Sequence, residues 1–366
     1  MTPDHDSAFR VALPMLTLVR GGMGGSETYA RELCRHLVEY PQLQVRAAVA
    51  SSAAGFSEGV PEFVAAGVTG GSSSLQRLRT QAQATVNRPL RRLLGISDLV
   101  HYPLSVPVPR APRRTPVVQT LLDVQHHDLK ELFTRAELAY RALMYDRPAR
   151  RADAVITISE FSRQRIIEHL GLGPSRVHVA HLGVDTSQFL VNDGDREDFA
   201  LYPARGWPHK NHARLIEAMQ LVRRERPGMR LVLTGGALED LGNLPDWVDK
   251  RGLVSRAELL ELYRRAACLV FPSRYEGFGL PPLEAMASGC PVAAADAGSL
   301  PEICGDAAVL FDPTDADAIA TAVLEASSSG GRLLAAGLAR CELFTWQACA
   351  EKHLEVYRSL ARPTRG

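Results

Sequence analysis

The stretch from Phe271 to Val292, FPSRYEGFGLPPLEAMASGCPV, sets two acids, Glu276 and Glu284, on either side of a glycine turn that runs directly into a helix. Gly277 and Gly279 permit backbone geometries and close approaches that a Cβ resists. Pro281 and Pro282 suit the first turn of a helix, where amides have no intrahelical partner. Free amides and the positive end of the helix dipole can therefore face a phosphate. Two carboxylates cannot both line that phosphate, because like charges repel. They are suited instead to accept hydrogen bonds from sugar or ribose hydroxyls around it. The stretch thus reads as a grip on an anionic ligand that carries hydroxyls.

The same residues carry a family resemblance. The chain resembles the retaining glycosyltransferases of family 4, which have the GT-B architecture. Two glutamates eight positions apart mean little alone, but here they sit among the glycines, the prolines and the continuation AMASGCPV, and weaker similarity extends over roughly residues 18 to 350. The resemblance implies an α/β fold of two facing Rossmann-like α/β domains with the active site in the interdomain cleft. Residues 1–190 would bind the acceptor and 191–345 the nucleotide sugar, with a C-terminal helix within 346–366 crossing back to the first domain.

Size and composition agree with that division. A chain of 366 residues exceeds what one core usually organises. With 46% hydrophobic and 23% charged residues it reads as globular and soluble. Cys34, Cys268, Cys290, Cys304, Cys341 and Cys349 form no C-x-x-C pair or zinc-like spacing, so they read as reduced structural thiols. The N-terminus MTPDHDSAFR lacks a signal-peptide pattern and no run approaches a membrane span, which makes cytoplasmic residence the expectation.

A net charge of +1 argues against a nucleic-acid binder, but charge is unevenly placed. Arg77, Arg79, Arg88, Arg91, Arg92, Arg110, Arg113 and Arg114 share their segment with a single acid, Asp98. Two readings stand: a solvated face, or a surface for anionic lipid or a phosphorylated acceptor. In the membrane version, a helix with Leu90, Leu93 and Leu94 on its apolar face rests on the inner face of an anionic membrane, and Pro89 interrupts that helix.

Along the chain, strands and helices alternate. FRVALPML and QVRAAVA read as buried strands around a helix from about Ser26, its capping candidate, to Glu39. Residues 51 to 95 offer Leu75, Leu78, Val86, Leu90 and Leu93 for a helix lying across the first domain. TPVVQTLLD and DAVITIS end in polar residues, as strands of an open parallel sheet do where they deliver side chains to a crevice. SEFSRQRIIEHL follows as a helix with Ser159 as its capping candidate. After the polar joint VNDGDRED, the strands FALYPARG, MRLVLTGG, ACLVFPS and CPVAAAD interleave with helices near 211–226, 256–266, 281–289 and 314–328. A last helix spans about Thr345 to Leu360.

Other candidates follow from this layout. Gly21, Gly22, Gly24 and Gly25 form a glycine-rich bend before a helix, able to cradle phosphate, though without a P-loop lysine or a dinucleotide fingerprint. Lys210 can neutralise a pyrophosphate as a nucleoside diphosphate departs. Asn211 is the capping candidate of the next helix, with His209 and His212 in supporting roles. Asp123, His126, His127 and Asp128 cluster after a strand, where a metal site, an acid–base element and a polar loop are all open.

The resemblance implies roles for these residues. Gly24 and Gly25 lie in the loop that contacts the donor diphosphate or admits the acceptor. Lys210 matches the phosphate-binding lysine, with Arg205 the nearest candidate for an accompanying arginine. Gly235, Gly236 and Val254 approach the nucleotide through backbone groups. The stretch around Asp123 resembles the HDLQH region of relatives, with Leu122 replacing the first histidine and His126 retained. Gly183 and Asp185 resemble the turn before the linker, and Glu302 a packing residue near the crevice.

The implied activity is retaining transfer of a hexosyl group from a nucleoside diphosphate sugar to a hydroxyl of a saccharide, lipid-linked or small-molecule acceptor. Glu284 would hold ribose and Glu276 the sugar. Lys210 and the backbone of Gly277, Phe278, Gly279 and Leu280 would hold the diphosphate, with Asp123 and His126 completing the catalytic set. No D-x-D type acidic site accompanies these elements, so no metal and no cofactor beyond the donor is expected. The alternatives are a non-catalytic nucleotide-sugar-binding protein, for which the Leu122 departure speaks, or another sugar or phosphate enzyme on a GT-B-like fold.

Overall fold

The computed structural model describes residues 8–71 and 74–361, apart from the side chains of residues 74, 75 and 330; the expected apolar contribution of Leu75 lies outside what is described. The chain divides into two compact units. One comprises residues 1–158, 162–181 and 346–366, the other residues 159–161 and 182–345.

In the first unit seven short strands form one parallel sheet: β1 (Phe9–Pro14), β2 (Leu43–Ala50), β3 (Glu62–Ala65), β4 (Leu99–Tyr102), β5 (Val117–Thr120), β6 (Ala154–Thr157) and β7 (Val177–Val179). Their order is β3-β2-β1-β4-β5-β6-β7, so the winding reverses between β1 and β4. Parallel neighbours require crossovers, supplied here by α1 (Gly25–Leu37), α2 (Ser74–Val86), α3 (Arg88–Ile96), α4 (Gln125–Asp128), α5 (Arg135–Arg141), α6 (Arg147–Ala149) and α7 (Glu160–Leu170), with a π-helical turn over Ala142–Asp146. In α1 the buried Tyr29, Ala30, Leu33, Cys34 and Leu37 recur at helical spacing and turn one stripe to the core. Gly24, at a φ of 56°, precedes this helix; Ser26 falls inside the first turn and is not its cap.

The arginine-rich region corrects one expectation. Pro89 does not interrupt a helix but opens one. Asn87 caps α3 by accepting the Leu90 amide at 2.9 Å, and the proline occupies the first turn, where no amide is needed. Leu90 and Leu93 pack with Ala48, Ala50 and Val106, and Leu94 with Ala12 and Val100. The apolar face of α3 therefore belongs to the core, where each leucine contributes about 1.5–3 kcal/mol, and it is not available to a membrane. Arg88, Arg91 and Arg92 stand exposed on the other side.

The second unit holds β8 (Glu197–Pro203), β9 (Arg230–Thr234), β10 (Val248–Gly252), β11 (Ala266–Phe271), β12 (Val292–Ala295) and β13 (Ala308–Phe311), all parallel, in the order β10-β9-β8-β11-β12-β13. Its helices are α8 (His212–Glu225), α9 (Arg256–Arg265), α10 (Leu280–Ala287), α11 (Leu300–Cys304), α12 (Ala316–Ser328) and α13 (Gly330–Cys341). Ser255 caps α9 and Asp315 caps α12. Asn211 does not cap α8. It takes a left-handed φ of 64°, which asparagine tolerates, and its amide donates to the carbonyls of Pro272 (3.2 Å) and Pro313 (2.7 Å), tying three loops together. The Ser159 hydroxyl donates to the Gly277 carbonyl at 2.7 Å, and the amides of Glu160 and Phe161 donate to the carboxylate of Glu302.

The last helix, α14 (Trp346–Leu360), is part of the first unit. Its buried face carries His353 and Tyr357 into a fully buried chain of hydrogen bonds whose direction can be deduced. His353 Nδ1 lies 2.7 Å from the Cys349 carbonyl, which can only accept, so Nδ1 bears the proton and Nε2 accepts from Tyr29 Oη at 2.8 Å. The Tyr29 oxygen must then accept from Thr120 (2.8 Å), and Thr120 from His101 Nε2 (2.7 Å), which leaves His101 Nδ1 to accept from Tyr357 at 2.7 Å. Every donor meets one acceptor, so α14 is bound to α1, β4 and β5 with both imidazoles neutral.

Candidate active site

Ligands of open parallel sheets bind beyond the carboxyl ends of the strands, at the point where strand order reverses. In the second unit that point lies between β8 and β11, with Leu201 paired to Leu269. Lys210 lies in the loop after β8 and Glu276 in the loop after β11. The ammonium donates directly to Glu276 Oε1, and both side chains are about 85% buried, with relative exposures of 13% and 14%. The Lys210 ammonium also lies 5.5 Å from the centre of the Phe271 ring, and Tyr202 Oη holds the Lys210 carbonyl at 2.6 Å. A lysine so placed already carries one carboxylate.

The loop bearing Glu276 is fixed from behind. Ser299 donates to the Glu276 carbonyl through its amide (3.2 Å) and its hydroxyl (3.1 Å). A Cβ on Gly298 would come within 2.8 Å of the Glu276 nitrogen, so this approach requires glycine. Gly279, at a φ of 131°, turns the chain from the buried Phe278 into α10, whose first turn holds Leu280, Pro281 and Pro282. Glu284 lies one turn further along. Its carboxylate accepts from Arg256 at 2.7 Å and from Tyr263 Oη at 2.9 Å, and Arg256 also stands 5.2 Å from the Phe189 ring. Burial, and then the charge of Glu284, push the Tyr263 phenol well above its ordinary range, so it remains a donor.

Arg256 and Tyr263 escaped the sequence reading. They stand seven positions apart on α9, two turns along one face, and that spacing in RAELLELY was the signal available. Val254 directly precedes the Ser255 cap of the same helix, and Arg205 lies against the Trp207 ring at 5.3 Å. The Gly235 amide donates to the Gly252 carbonyl at 2.8 Å and the Gly236 carbonyl accepts from Gly206 at 3.0 Å, so these two backbone groups already bind the loops after β8, β9 and β10 to one another. Burial, then the neighbouring Lys210 charge, lowers His209 and His212 to about 4, which keeps both neutral at physiological pH.

In the first unit the corresponding strand ends carry the other predicted residues. Gly24 and Gly25 open α1, and the amide of Gly21 in the same bend donates to the Glu27 carboxylate at 3.0 Å. After β5, Asp123 accepts the Gln125 amide at 3.0 Å and so turns the chain into α4. His126 is 2% exposed, with Nε2 on Asp146 Oδ1 at 3.0 Å, and His127 places its Nε2 on Asp146 Oδ2 at 2.9 Å. The π-helical turn, a feature often found at functional positions, ends on that aspartate. His127 stacks on His169 with centroids 4.8 Å apart, and His169 in turn meets Asp128, which Arg165 also holds. Burial would raise the Asp146 pKa, but the two histidines outweigh it and hold the carboxyl below its usual range. His127 is lowered, chiefly by burial. Asp146 and His169 are distant in sequence from the HHD cluster, and nothing in their own surroundings singled them out.

All six cysteines are free and buried, and burial pushes Cys34, Cys290, Cys304, Cys341 and Cys349 to about 12, consistent with structural thiols. A cavity of about 460 Å³ lined by Arg10, Leu43, Arg46 and Leu93 lies at the amino ends of β1 and β2, the opposite end of that sheet from Asp123 and His126.

Comparison with known proteins bears on the family and the fold. Residues 23–188 match the model "Glycosyltransferase Family 4" and residues 186–336 the model "Glycosyl transferases group 1". O-antigen chain mannosyltransferase B of Escherichia coli is 29% identical over 297 residues, covering 74% of this chain and 78% of that protein. Among solved structures, sucrose-phosphate synthase from Thermosynechococcus elongatus aligns with a TM-score of 0.76 at 21% identity, over 96% of this chain and 99% of that one. Anabaena HepE in complex with UDP-glucose aligns with a TM-score of 0.71 at 17% identity, over 96% and 99%. The two parallel sheets with flanking helices are thus the GT-B fold.

Proposed function

The chain is a glycosyltransferase of GT-B fold, matching the family 4 and group 1 models in turn, and we propose that it moves a hexosyl group from a nucleoside diphosphate sugar to an acceptor hydroxyl with retention of configuration. The observation that carries this reading is the direct pairing of Lys210 with Glu276 at the reversal point of the second sheet. A donor diphosphate would draw the ammonium from Glu276 and free that carboxylate for a sugar hydroxyl. Lys210 and the first turn of α10 would then face the charge that grows on the leaving group. Glu284, oriented by Arg256 and Tyr263, would accept from the ribose hydroxyls. Similarity to a mannosyltransferase, and to a structure holding UDP-glucose, supports a hexose nucleotide as donor.

The proposed chemistry takes place on one face of the sugar. The bond between the anomeric carbon and the diphosphate oxygen breaks, the acceptor oxygen bonds to the same face, and its proton passes to the departing phosphate. Neither a metal nor a covalent carboxylate takes part. Asp123 and His126 are assigned to the acceptor, which is a saccharide, lipid-linked or small-molecule hydroxyl. Calorimetry separates the two acids. E284A should weaken binding of both the nucleotide sugar and the free nucleoside diphosphate, whereas E276A should spare the free diphosphate and lose chiefly the sugar contribution. Equal losses for both ligands in both variants would reject this division.

Among the described residues no helix is long and apolar enough to cross a membrane, and cytoplasmic residence remains the proposal. Peripheral contact with an anionic membrane is retained on a different footing from the apolar face of α3. Arg77, Arg79, Arg88, Arg91, Arg92, Arg110, Arg113 and Arg114 are all exposed, with Val86 and Ile96 standing out beside them at 75% and 51% exposure. Changing Arg88, Arg91 and Arg92 to glutamine should reduce sedimentation with anionic vesicles at low salt, and wild-type protein that never sediments would dismiss the contact.

A further inference from the structure

We propose that His126, His127 and Asp146 form a binding site for a divalent transition-metal ion of the zinc class. The three side chains offer one ligand atom each, and these atoms lie within 4.8 Å of one another. Both imidazoles turn Nε2 to the same carboxylate, at 3.0 Å and 2.9 Å. Ligand atoms around a tetrahedral zinc ion stand roughly 3.3 Å apart, given bonds of about 2.0–2.2 Å. An ion at their common centre would therefore spread each histidine from the carboxylate by a few tenths of an ångström and draw the widest pair of ligand atoms, up to 4.8 Å apart, together by about 1.5 Å.

The donor set selects the metal. Two imidazoles and one carboxylate suit zinc and its first-row neighbours, whereas magnesium and calcium prefer oxygen throughout. Binding at Nε2 requires each imidazole to carry its proton on Nδ1. Without an ion the Asp146 carboxylate can only accept, so both imidazoles donate their Nε2 protons to it, and an ion bound at Nε2 displaces those protons and leaves each ring protonated on Nδ1. Nδ1 of His126 is buried and has no hydrogen-bond partner among the described residues. His169 is not a fourth ligand, since its Nε2 is engaged by Asp128 and Arg165; it stacks on His127 and limits that ring's rotation. His127 is 21% exposed, which gives an ion a way in and leaves one coordination position for water.

The site ties α4 to the end of the π-helical turn, two segments otherwise linked here through the same carboxylate. It is independent of the donor residues of the second unit. If the acceptor role of His126 also holds, bound metal would withdraw that ring and slow transfer. Binding itself does not depend on that role.

Cobalt(II) is the probe, because its visible absorption reports tetrahedral coordination directly. The chelator-stripped full chain should bind one equivalent and develop intense visible bands that zinc then abolishes. Asp146→Asn and His127→Gln should each weaken the affinity about tenfold or more, on the scale of disturbances to metal-site partners. His178→Gln, at a half-buried histidine of β7, should leave it unchanged. Where Asp146→Asn fails to fold, His127→Gln, at a partly open side chain, carries the test. No visible bands, or the same titration in wild type and both site variants, would overturn the proposal, whatever transfer assays show.

Discussion

Replacing Lys210 with alanine is expected to lower turnover by about a hundredfold or more, the scale seen when a single oxyanion donor is removed. The ammonium matters most as negative charge grows on the departing diphosphate, so the loss should fall on kcat more than on KM. Folding should suffer less. Among the described residues the Lys210 ammonium is paired with Glu276 alone, and that acid keeps 14% exposure from which it can reach water once the lysine is gone. A folded K210A enzyme with wild-type turnover would remove Lys210 from the mechanism.

The second large effect is on stability. His353 is fully buried and is the acceptor for Tyr29, itself fully buried. His353→Ala should destabilise the first unit by about 3–4 kcal/mol, combining a cavity with an unpaired tyrosine hydroxyl. Tyr29→Phe combined with His353→Leu should be less damaging than the sum of its parts, with a coupling of about 1–3 kcal/mol measured by denaturant unfolding. Strict additivity would show that the two groups do not communicate.

The same network predicts the direction of acid sensitivity. Burial brings His353 down to about 4 and pushes His101 well below its usual value. The unfolded chain therefore binds more protons than the folded one between about pH 6.5 and 4. The stability contributed by the neutral rings is complete above pH 6.5 and is lost as pH falls towards 4, by on the order of 3 kcal/mol for His353 alone. His209 and His212 act in the same sense.

What the sequence made legible follows burial and local order. Strands such as FRVALP and AACLVF are buried and apolar enough to be read directly, and the helices at 212–225, 256–265 and 346–360 show their periodicity. β3 and β10 are edge strands of four and five residues. VDKRG in β10 carries the composition of a loop because an edge needs little apolar cover. β4 is buried throughout, but its four residues, LVHY, include a histidine held between Thr120 of β5 and Tyr357 on a helix over 250 positions away.

The candidate site shows the same boundary. Glu276, Gly279 and Glu284 could be read because one local turn and helix bring them together. Arg256, Tyr263, Ser299 and Asp146 act by returning from other parts of the chain to groups already recognised, and the fold reveals which groups they reach. Asn211 shows the converse. It has the residue type and position of a helix cap, yet its side chain donates to the carbonyls of Pro272 and Pro313 instead.

The most direct test of the account is to incubate the purified protein with α-configured nucleoside diphosphate hexoses, with and without candidate acceptors. Release of nucleoside diphosphate is followed together with the anomeric proton of the product by NMR. The account predicts release that depends on the acceptor and an α-linked product; release indifferent to every acceptor, or a β-linked product, would contradict it.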